Sequence, residues 1–388
     1  MKIVQINSVY QFGSTGKIVS NLHDYCLAHD IDSYVFYARK NPKEKKQKKN
    51  VYYFSDPIGL TNHVIQGVLF DKHGLYSKKN TQSMIQKLCE IDPDIIHLHN
   101  IHGFYCNYPM LFTFLKQRGK PVIWTLHDCW SFTGYCACYD YHHCYKWKSG
   151  CKCCPYFDNY PYRILSNSKN NFKLKQKTYE SLPITLVVPS QWLKDEVSKS
   201  MLSEYPCKII NNSVDLSHFY YEPNSLRHNY HLENLKVYLA VSSYWTKQKG
   251  FLEYRKLAEM LNPNERLVMI GLNEKQKRNL PNSILGIGRL NQDELRKWYS
   301  IADVFVNLTL EDNYPTVNLE ARACGTPILT YNVGGSTEMV VNYGKIIEPY
   351  KIDEVLKTLR ETSWTRANNN IVDQNMTNEY YNLYTSLI

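Results

Sequence analysis

Short β-branched and aliphatic runs alternate with helix-patterned segments along most of the chain, and this alternation restricts the fold more than any other feature. Ile3-Val4-Gln5-Ile6 reads as a first strand. A turn at Gly13-Ser14-Thr15-Gly16 follows, then a helical stretch with Ile18, Leu22 and Cys26 on one face. Residues 33–37, 95–98, 122–126 and 185–188 continue the strand series, with a helical segment at 109–117. A second series begins at Val237-Tyr238-Leu239-Ala240-Val241 and runs through 266–270, 304–306 and 327–330. Strand, helix, strand in repetition predicts parallel sheets covered by helices. Two such series in 388 residues predict an α/β protein of two Rossmann-like domains, 1–212 and 213–370, with a last helical segment at 371–388. The seam falls near Asn212-Ser213-Val214-Asp215.

Hydrophobic residues make up 43% and charged residues 21%, the balance of an ordinary globular chain. Met1-Lys2 leads straight into the first strand, so no secretory leader is expected. No apolar run approaches the roughly 20 residues that cross a bilayer. A cytoplasmic protein is the expectation. The formal charge is +10, and a basic run of Arg39, Lys40, Lys43, Lys45, Lys46, Lys48 and Lys49 is broken only by Glu44 among acids. Such a run is commonly a solvated loop. Its functional reading is contact with anionic headgroups, or with a lipid-pyrophosphate acceptor, at the inner face of the cell membrane. Nucleic acid is not an expected partner, because no aromatic-interleaved basic motif accompanies the run.

In open parallel sheets, ligands bind beyond the carboxyl ends of the strands, so the loops there carry the chemistry. The richest is Glu311-Asp312-Asn313-Tyr314-Pro315-Thr316-Val317-Asn318-Leu319-Glu320, where a strand ends, a polar loop follows and a helix starts near Pro315. A helix N-terminus offers free N–H groups and a positive dipole end, which suit a diphosphate. Carboxylates at Asp312 and Glu320 could accept hydrogen bonds from the hydroxyls of a sugar nucleotide. Incidental acids on a capped surface helix explain the spacing equally well. Three histidines at His97, His99 and His102 tempt a metal reading, but the first two alternate along a strand.

The 311–327 segment resembles the E-x7-E region of glycosyltransferase family 4, in the branch that serves exopolysaccharide and colanic-acid-type synthesis. The resemblance implies a GT-B fold, two Rossmann-like domains facing across a cleft, and transfer with retention. It assigns the donor sugar to Asp312, with Glu311 beside it as a competitor, the ribose to Glu320, and the phosphates to the amides of Thr316 and Val317. Asn313 and Tyr314 lie within the same donor-binding motif. Gly13, Ser14 and Gly16 match the family's first glycine-rich loop, and Lys249 in Trp245-Thr246-Lys247-Gln248-Lys249-Gly250 matches its diphosphate lysine. The family's arginine five residues earlier is Tyr244 here, and Lys247 is the candidate replacement. His127 matches the family's histidine near the reacting carbon; Asp128, His99 and His102 fall on the acceptor side. No metal is implied for catalysis. The last helix, 380–387, is expected to pack on the first domain.

Seven of the twelve cysteines fall between Cys129 and Cys154. Cys136, Cys144, Cys151 and Cys154 give C-x7-C-x6-C-x2-C, a pattern suited to tetrahedral zinc with a structural role. Cys138 and Cys153 blur the assignment, and reduced buried thiols are the other reading.

The expected activity is transfer of a hexose-type sugar from a nucleotide sugar, UDP-sugar preferred, to a glycan or polyprenyl-pyrophosphate-linked acceptor. A silent sugar-nucleotide-binding scaffold, and another GT-B enzyme such as a phosphorylase or epimerase, stay open as rivals.

Overall fold

The computed structural model describes residues 1–40, 48–157, 160–341, 343–366 and 375–388. The chain forms two compact units, Met1–Asn211 with Met376–Ile388, and Asn212–Asn375. Of the basic run, Lys43, Glu44, Lys45 and Lys46 lie outside the described residues, as does the expected boundary at 370/371.

The first unit begins β1 (Lys2–Ile6), α1 (Gly13–Ala28), β2 (Asp32–Tyr37) and β3 (Val51–Tyr53). It continues through α2 (Pro57–Phe70), α3 (Lys78–Ile91), β4 (Ile95–Leu98), α4 (Tyr108–Arg118) and β5 (Val122–Thr125). After the cysteine-rich loop come α5 (Ser168–Tyr179), β6 (Ile184–Val188), α6 (Gln191–Val197) and β7 (Cys207–Ile209). The sheet is parallel throughout, in the order β3-β2-β1-β4-β5-β6-β7. Side chains alternate across a strand, so each strand feeds two cores. Val4, Ile6, Ile96, Leu98, Val122 and Trp124 pack into the larger one, with Leu111, Phe112 and Leu115 of α4. Ile3, Ile95, Ile123 and Val187 point the other way, onto Ile18, Leu22 and Cys26 of α1.

The second unit runs α7 (Leu226–Asn229), β8 (Lys236–Val241), α8 (Phe251–Glu259), β9 (Glu265–Ile270), α9 (Glu274–Lys277) and β10 (Ile284–Ile287). Then follow α10 (Gln292–Ile301), β11 (Val304–Asn307), α11 (Thr316–Ala323), β12 (Ile328–Tyr331), β13 (Gly344–Ile347) and α12 (Ile352–Glu361). Its sheet has the order β10-β9-β8-β11-β12-β13, again parallel. Helix α10 opens with a reciprocal Asn291–Glu294 capping box and buries Trp298 and Tyr299. These aromatics are core, as their helical spacing predicts.

The last helix, α13 (Met376–Thr385), belongs to the first unit. Its Met376, Tyr380, Leu383 and Tyr384 complete the core beneath α1. Among the described residues no helix is long and apolar enough to cross a membrane.

Candidate functional site

In both units the strand order reverses direction between the first and fourth strands, the point beyond whose carboxyl ends open parallel sheets hold ligands. In the first unit this point lies between β1 and β4. Asn7, just past β1, donates from Nδ2 to Val9 O (2.8 Å) and to Thr15 Oγ1 (3.5 Å), and its Oδ1 accepts from the Asn100 N–H at 3.2 Å. One side chain thus joins the glycine loop, the end of β1 and the end of β4. Gly13, Ser14 and Gly16 form the first turn of α1.

The expected histidines converge beside it. His97 is fully buried on the face covered by α13, with Nδ1 2.7 Å from Tyr384 Oη and Nε2 2.7 Å from Thr125 Oγ1. It is a structural residue. His99 follows on the same face, its Nδ1 3.0 Å from Nε2 of His127. His102 Nε2 lies 2.7 Å from Asp128 Oδ2. His99, His102, His127 and Asp128 line one open pocket together with Trp130 and Ser131. Burial pushes the His127 pKa down to about 4, against the opposing pull of Asp128. Burial disfavours the Asp128 carboxylate, yet neighbouring His102 and the Trp130 N–H hold its pKa below the ordinary carboxylate value. A neutral imidazole and an ionised carboxylate therefore stand side by side, able to accept and orient hydroxyl groups.

In the second unit the matching point lies between β8 and β11. The loop after β8 and the loop after β11 are stitched together: Leu310 N–H donates to Gln248 O at 2.8 Å. Lys249 Nζ donates to Asp312 Oδ2 at 2.8 Å and to Glu311 O at 3.2 Å. Asp312 also accepts the Tyr314 N–H at 3.3 Å, just before α11 begins. Glycine is demanded twice here. Gly250 has φ +74°, and a Cβ there would meet Leu308 O at 2.0 Å. Gly334 has φ +54°, and a Cβ would meet Asp312 O at 1.9 Å. Farther along α11, Glu320 Oε2 accepts from Tyr299 Oη at 3.0 Å. Thr316 and Val317 supply the first amides of α11, whose early N–H groups lack carbonyl partners in the helix. Asn313 is buried, Tyr314 half-buried and Lys247 exposed.

Several placements were not legible in the sequence. Arg289 after β10 donates to Ser243 O at 3.0 Å, which brings a guanidinium beside Tyr244. Lys175 of α5 is buried, donates to the carbonyls of Trp130 and Thr133, and stands 3.5 Å over the Trp130 ring. It thereby anchors the loop that follows Asp128. Nothing in the surrounding lysine-rich stretch distinguishes Lys175 from its neighbours.

Three described residues of the basic run are tied to the protein itself. Arg39 donates to Gly103 O at 2.9 Å, Lys48 pairs with Asp24 at 2.8 Å, and Lys40 stands over the Tyr53 ring. Cys136, Cys144, Cys151 and Cys154 belong to one packed cluster, two of them buried. Burial, and then the neighbouring thiols, raise the Cys136 pKa. Burial likewise pushes Cys151 up to about 11, although the Gly134 N–H donates to its Sγ at 3.1 Å. Among the described residues no group of three or more His, Cys, Asp or Glu side chains stands at metal-ligand geometry.

Two doubly wound halves of one strand order, each with its polar loops at the switch point, make this a protein of GT-B type. Sucrose-phosphate synthase from Thermosynechococcus elongatus is similar with a TM-score of 0.72 at 14% identity, over 100% of this chain and 98% of that one. HepE of Anabaena, in complex with UDP and glucose, gives 0.67 at 16% identity over 100% of both chains. At these identities the likeness is one of fold.

The family model for Glycosyltransferase Family 4 matches residues 15–218, and that for Glycosyl transferases group 1 matches 228–375. The chain belongs to glycosyltransferase family 4. A putative colanic acid biosynthesis glycosyl transferase, WcaC of Escherichia coli, is 23% identical over 415 residues, covering 100% of each chain. The protein is accordingly a glycosyltransferase.

Proposed function

We propose that the protein transfers a hexose from a nucleotide sugar, UDP-sugar preferred, to a glycan or lipid-linked acceptor in surface polysaccharide synthesis, with retention at the anomeric carbon. The observation that carries this reading is the Lys249–Asp312 contact at the foot of α11. It puts a cation and a carboxylate next to amides that suit a diphosphate. In the transfer the bond between the anomeric carbon and the diphosphate oxygen breaks, and a bond to the acceptor oxygen forms. The acceptor proton is released, and the nucleoside diphosphate leaves with the electron pair. Lys249 and the α11 amides would stabilise that developing charge, with Lys247 and Arg289 nearby in the same unit. Asp312 would then bind sugar hydroxyls, and Glu320, oriented by Tyr299, would take the ribose. His127 and Asp128 would line the acceptor side. Catalysis needs no metal in this reading.

Two finer points belong to the same proposal. The four thiols would hold a structural zinc that fixes the loop after Asp128. Four thiols on one core, three of them near enough to Cys136 to raise its pKa, favour it, while their side chains would have to lose their protons and rotate into ligand geometry. The second point is a membrane contact, to which α2 would contribute beside the lysine run. Helix α2 carries no charged side chain and exposes Ile58 (84% accessible), Ile65, Leu69 and Phe70. Exposed Ile164 and Leu165 extend this face, their N–H groups donating to Val68 O and Leu69 O at the end of α2. An apolar face of this kind suits the surface where a lipid-linked acceptor resides.

A thermal-shift and hydrolysis screen with UDP-, GDP- and CMP-sugars tests the reading, with Glu320→Ala as control. One nucleotide class should raise the melting temperature and be hydrolysed slowly, and the control should lose both. Stabilisation by one nucleotide class without hydrolysis would favour the silent scaffold, and absence of any nucleotide effect would overturn the donor assignment.

A further inference from the structure

We infer that the pocket beside Asp128 takes the uncharged, hydroxyl-bearing end of a saccharide as acceptor, and that His102 Nδ1 and Ser131 Oγ are the groups that recognise it. The inference deepens the proposed acceptor side: it rests on that reading for the use made of the bound sugar, though not for the binding.

His102 and Ser131 line one pocket with Asp128, and they are 7% and 3% exposed. Asp128 is ionised, and a carboxylate oxygen can only accept. The 2.7 Å contact therefore has His102 Nε2–H donating to Asp128 Oδ2. The other carboxylate oxygen accepts the Trp130 N–H at 2.9 Å. Both oxygens of Asp128 are thus engaged within the protein, and one of them fixes the His102 ring. The second ring nitrogen, Nδ1, is buried and has no hydrogen-bond partner among the described residues. Ser131 Oγ is in the same condition. Buried polar atoms nearly always have partners, and two unpaired ones on residues of a single pocket point to a ligand that supplies them.

The loop that carries Ser131 is pinned on both sides of it. Lys175 Nζ donates to Trp130 O and to Thr133 O, the latter at 3.1 Å, and the Cys129 N–H donates to Ala137 O at 2.7 Å. His102 packs against the Trp130 ring with 5.4 Å between centroids, and Arg39 donates to the carbonyl of the next residue, Gly103, at 2.9 Å. Such anchoring spares a ligand the cost of ordering the groups it meets.

The ligand class follows from what these atoms can do. A hydroxyl gives its proton to a bare ring nitrogen or accepts from an N–H, and a serine hydroxyl both gives and accepts. Neighbouring hydroxyls of a pyranose offer both roles at once. A phosphate dianion only accepts, and its charge would stand against the Asp128 carboxylate. No Lys or Arg is among the described residues that line the pocket, so no fixed cation there offsets a second negative charge. The pocket therefore favours a neutral sugar over a phosphorylated one. The end of a lipid-borne glycan and the end of a soluble one share this chemistry.

The test is saturation-transfer NMR of the full chain, without nucleotide, against methyl hexopyranosides, the matching octyl hexopyranosides and hexose 6-phosphates. Methyl hexopyranosides should bind at millimolar concentration, and the phosphates more weakly. Two variants probe the two groups. Ser131→Ala removes the hydroxyl, and His102→Gln keeps an amide donor for Asp128 while removing Nδ1. Each should weaken pyranoside binding about three- to tenfold, the worth of one hydrogen bond. Ser131→Ala should melt no lower than wild type, since its hydroxyl has no partner among the described residues to lose. Binding equal in wild type and both variants, phosphates that bind as tightly as the pyranosides, or no binding of any pyranoside overturns the inference. Loss in both variants supports it, and a gain from the octyl chain then names a lipid-borne acceptor, no gain a soluble one. The same loss in a protein that transfers from no nucleotide sugar would leave the pocket standing and overturn the proposed donor instead.

Discussion

Lys249 Nζ lies 2.8 Å from Asp312 Oδ2, joining the loops after the first and fourth strands of the second unit. The contact is partly solvent-exposed, with about a quarter of each side chain accessible. Pairs of this kind contribute about 0–1 kcal/mol to stability. The proposed role of Lys249 therefore predicts a larger effect on activity than on stability. Replacing it by Ala should lower kcat/KM by about 10²–10³, the usual cost of removing one electrostatic stabiliser of a leaving group. The melting temperature should move little. Steady-state assay with the donor found by nucleotide screening, beside calorimetry, checks both. A large drop in melting temperature with unaltered kcat/KM would make the lysine structural.

Much of this site was legible from residue order, because doubly wound sheets put their chemistry after strands and the strands announce themselves. The loops carrying His127, Lys249 and Asp312 are found that way. The edge strands β3, β7, β10 and β13 are only three or four residues long and carry no distinctive run. Helix α2 was missed because apolar residues occur all round it, with no stripe to betray the period. Gln5 sits in plain view inside Ile3-Val4-Gln5-Ile6, where a polar residue at an inward position signals a buried partner. Its partner, His99, is 94 residues away, a distance no local pattern spans. Lys175 and Arg289 act on backbone carbonyls, which any sequence presents.

Stability of the first unit should fall as the pH drops below about 6.5. Burial is the leading cause of the depressed pKa values of His63, about 4, and His73, about 3, and it also holds His97 and His99 well below the ordinary 6.5. Between about pH 6.5 and 4 the unfolded chain binds protons that the folded unit refuses, so unfolding gains as pH falls. The stability is fully present above the unfolded value of 6.5 and is lost progressively below it. Each such histidine adds up to about 1.4 kcal/mol per pH unit to the slope. His73→Phe should flatten the dependence; its Nε2 has no hydrogen-bond partner, so the substitution loses only the ring's bond to the Tyr162 backbone. Denaturant melts at pH 7.5, 6 and 5, at fixed ionic strength, give the slope. A slope equal in wild type and variant would sink this account of His73.

Metal analysis of protein purified under reducing conditions should find about one zinc per chain, held by Cys136, Cys144, Cys151 and Cys154. Cys136→Ser and Cys151→Ser, which remove the two buried thiols, should lose the metal and lower the melting temperature. Chelation of the wild type should reproduce that loss. Metal-free protein that melts at the same temperature before and after chelation would leave the cluster as buried thiols.

The two buried tyrosines of α13, Tyr380 and Tyr384, make unequal contributions, and the hydrogen bonds tell which matters more. His97 is fully buried and has two ring nitrogens to satisfy. One meets Tyr384 Oη and the other Thr125 Oγ1, each at 2.7 Å, while Tyr380 Oη reaches only Thr125 at 2.8 Å. Tyr384→Phe keeps the ring and leaves Nδ1 of His97 without a partner, at a cost of about 1–3 kcal/mol. After Tyr380→Phe, Thr125 still has His97, so the loss should stay near the ~1 kcal/mol of an ordinary hydrogen bond. Denaturant unfolding of the two variants should therefore rank Tyr384→Phe as the more destabilised. The reverse order would mean that His97 takes its support from elsewhere and that α13 is held chiefly by packing.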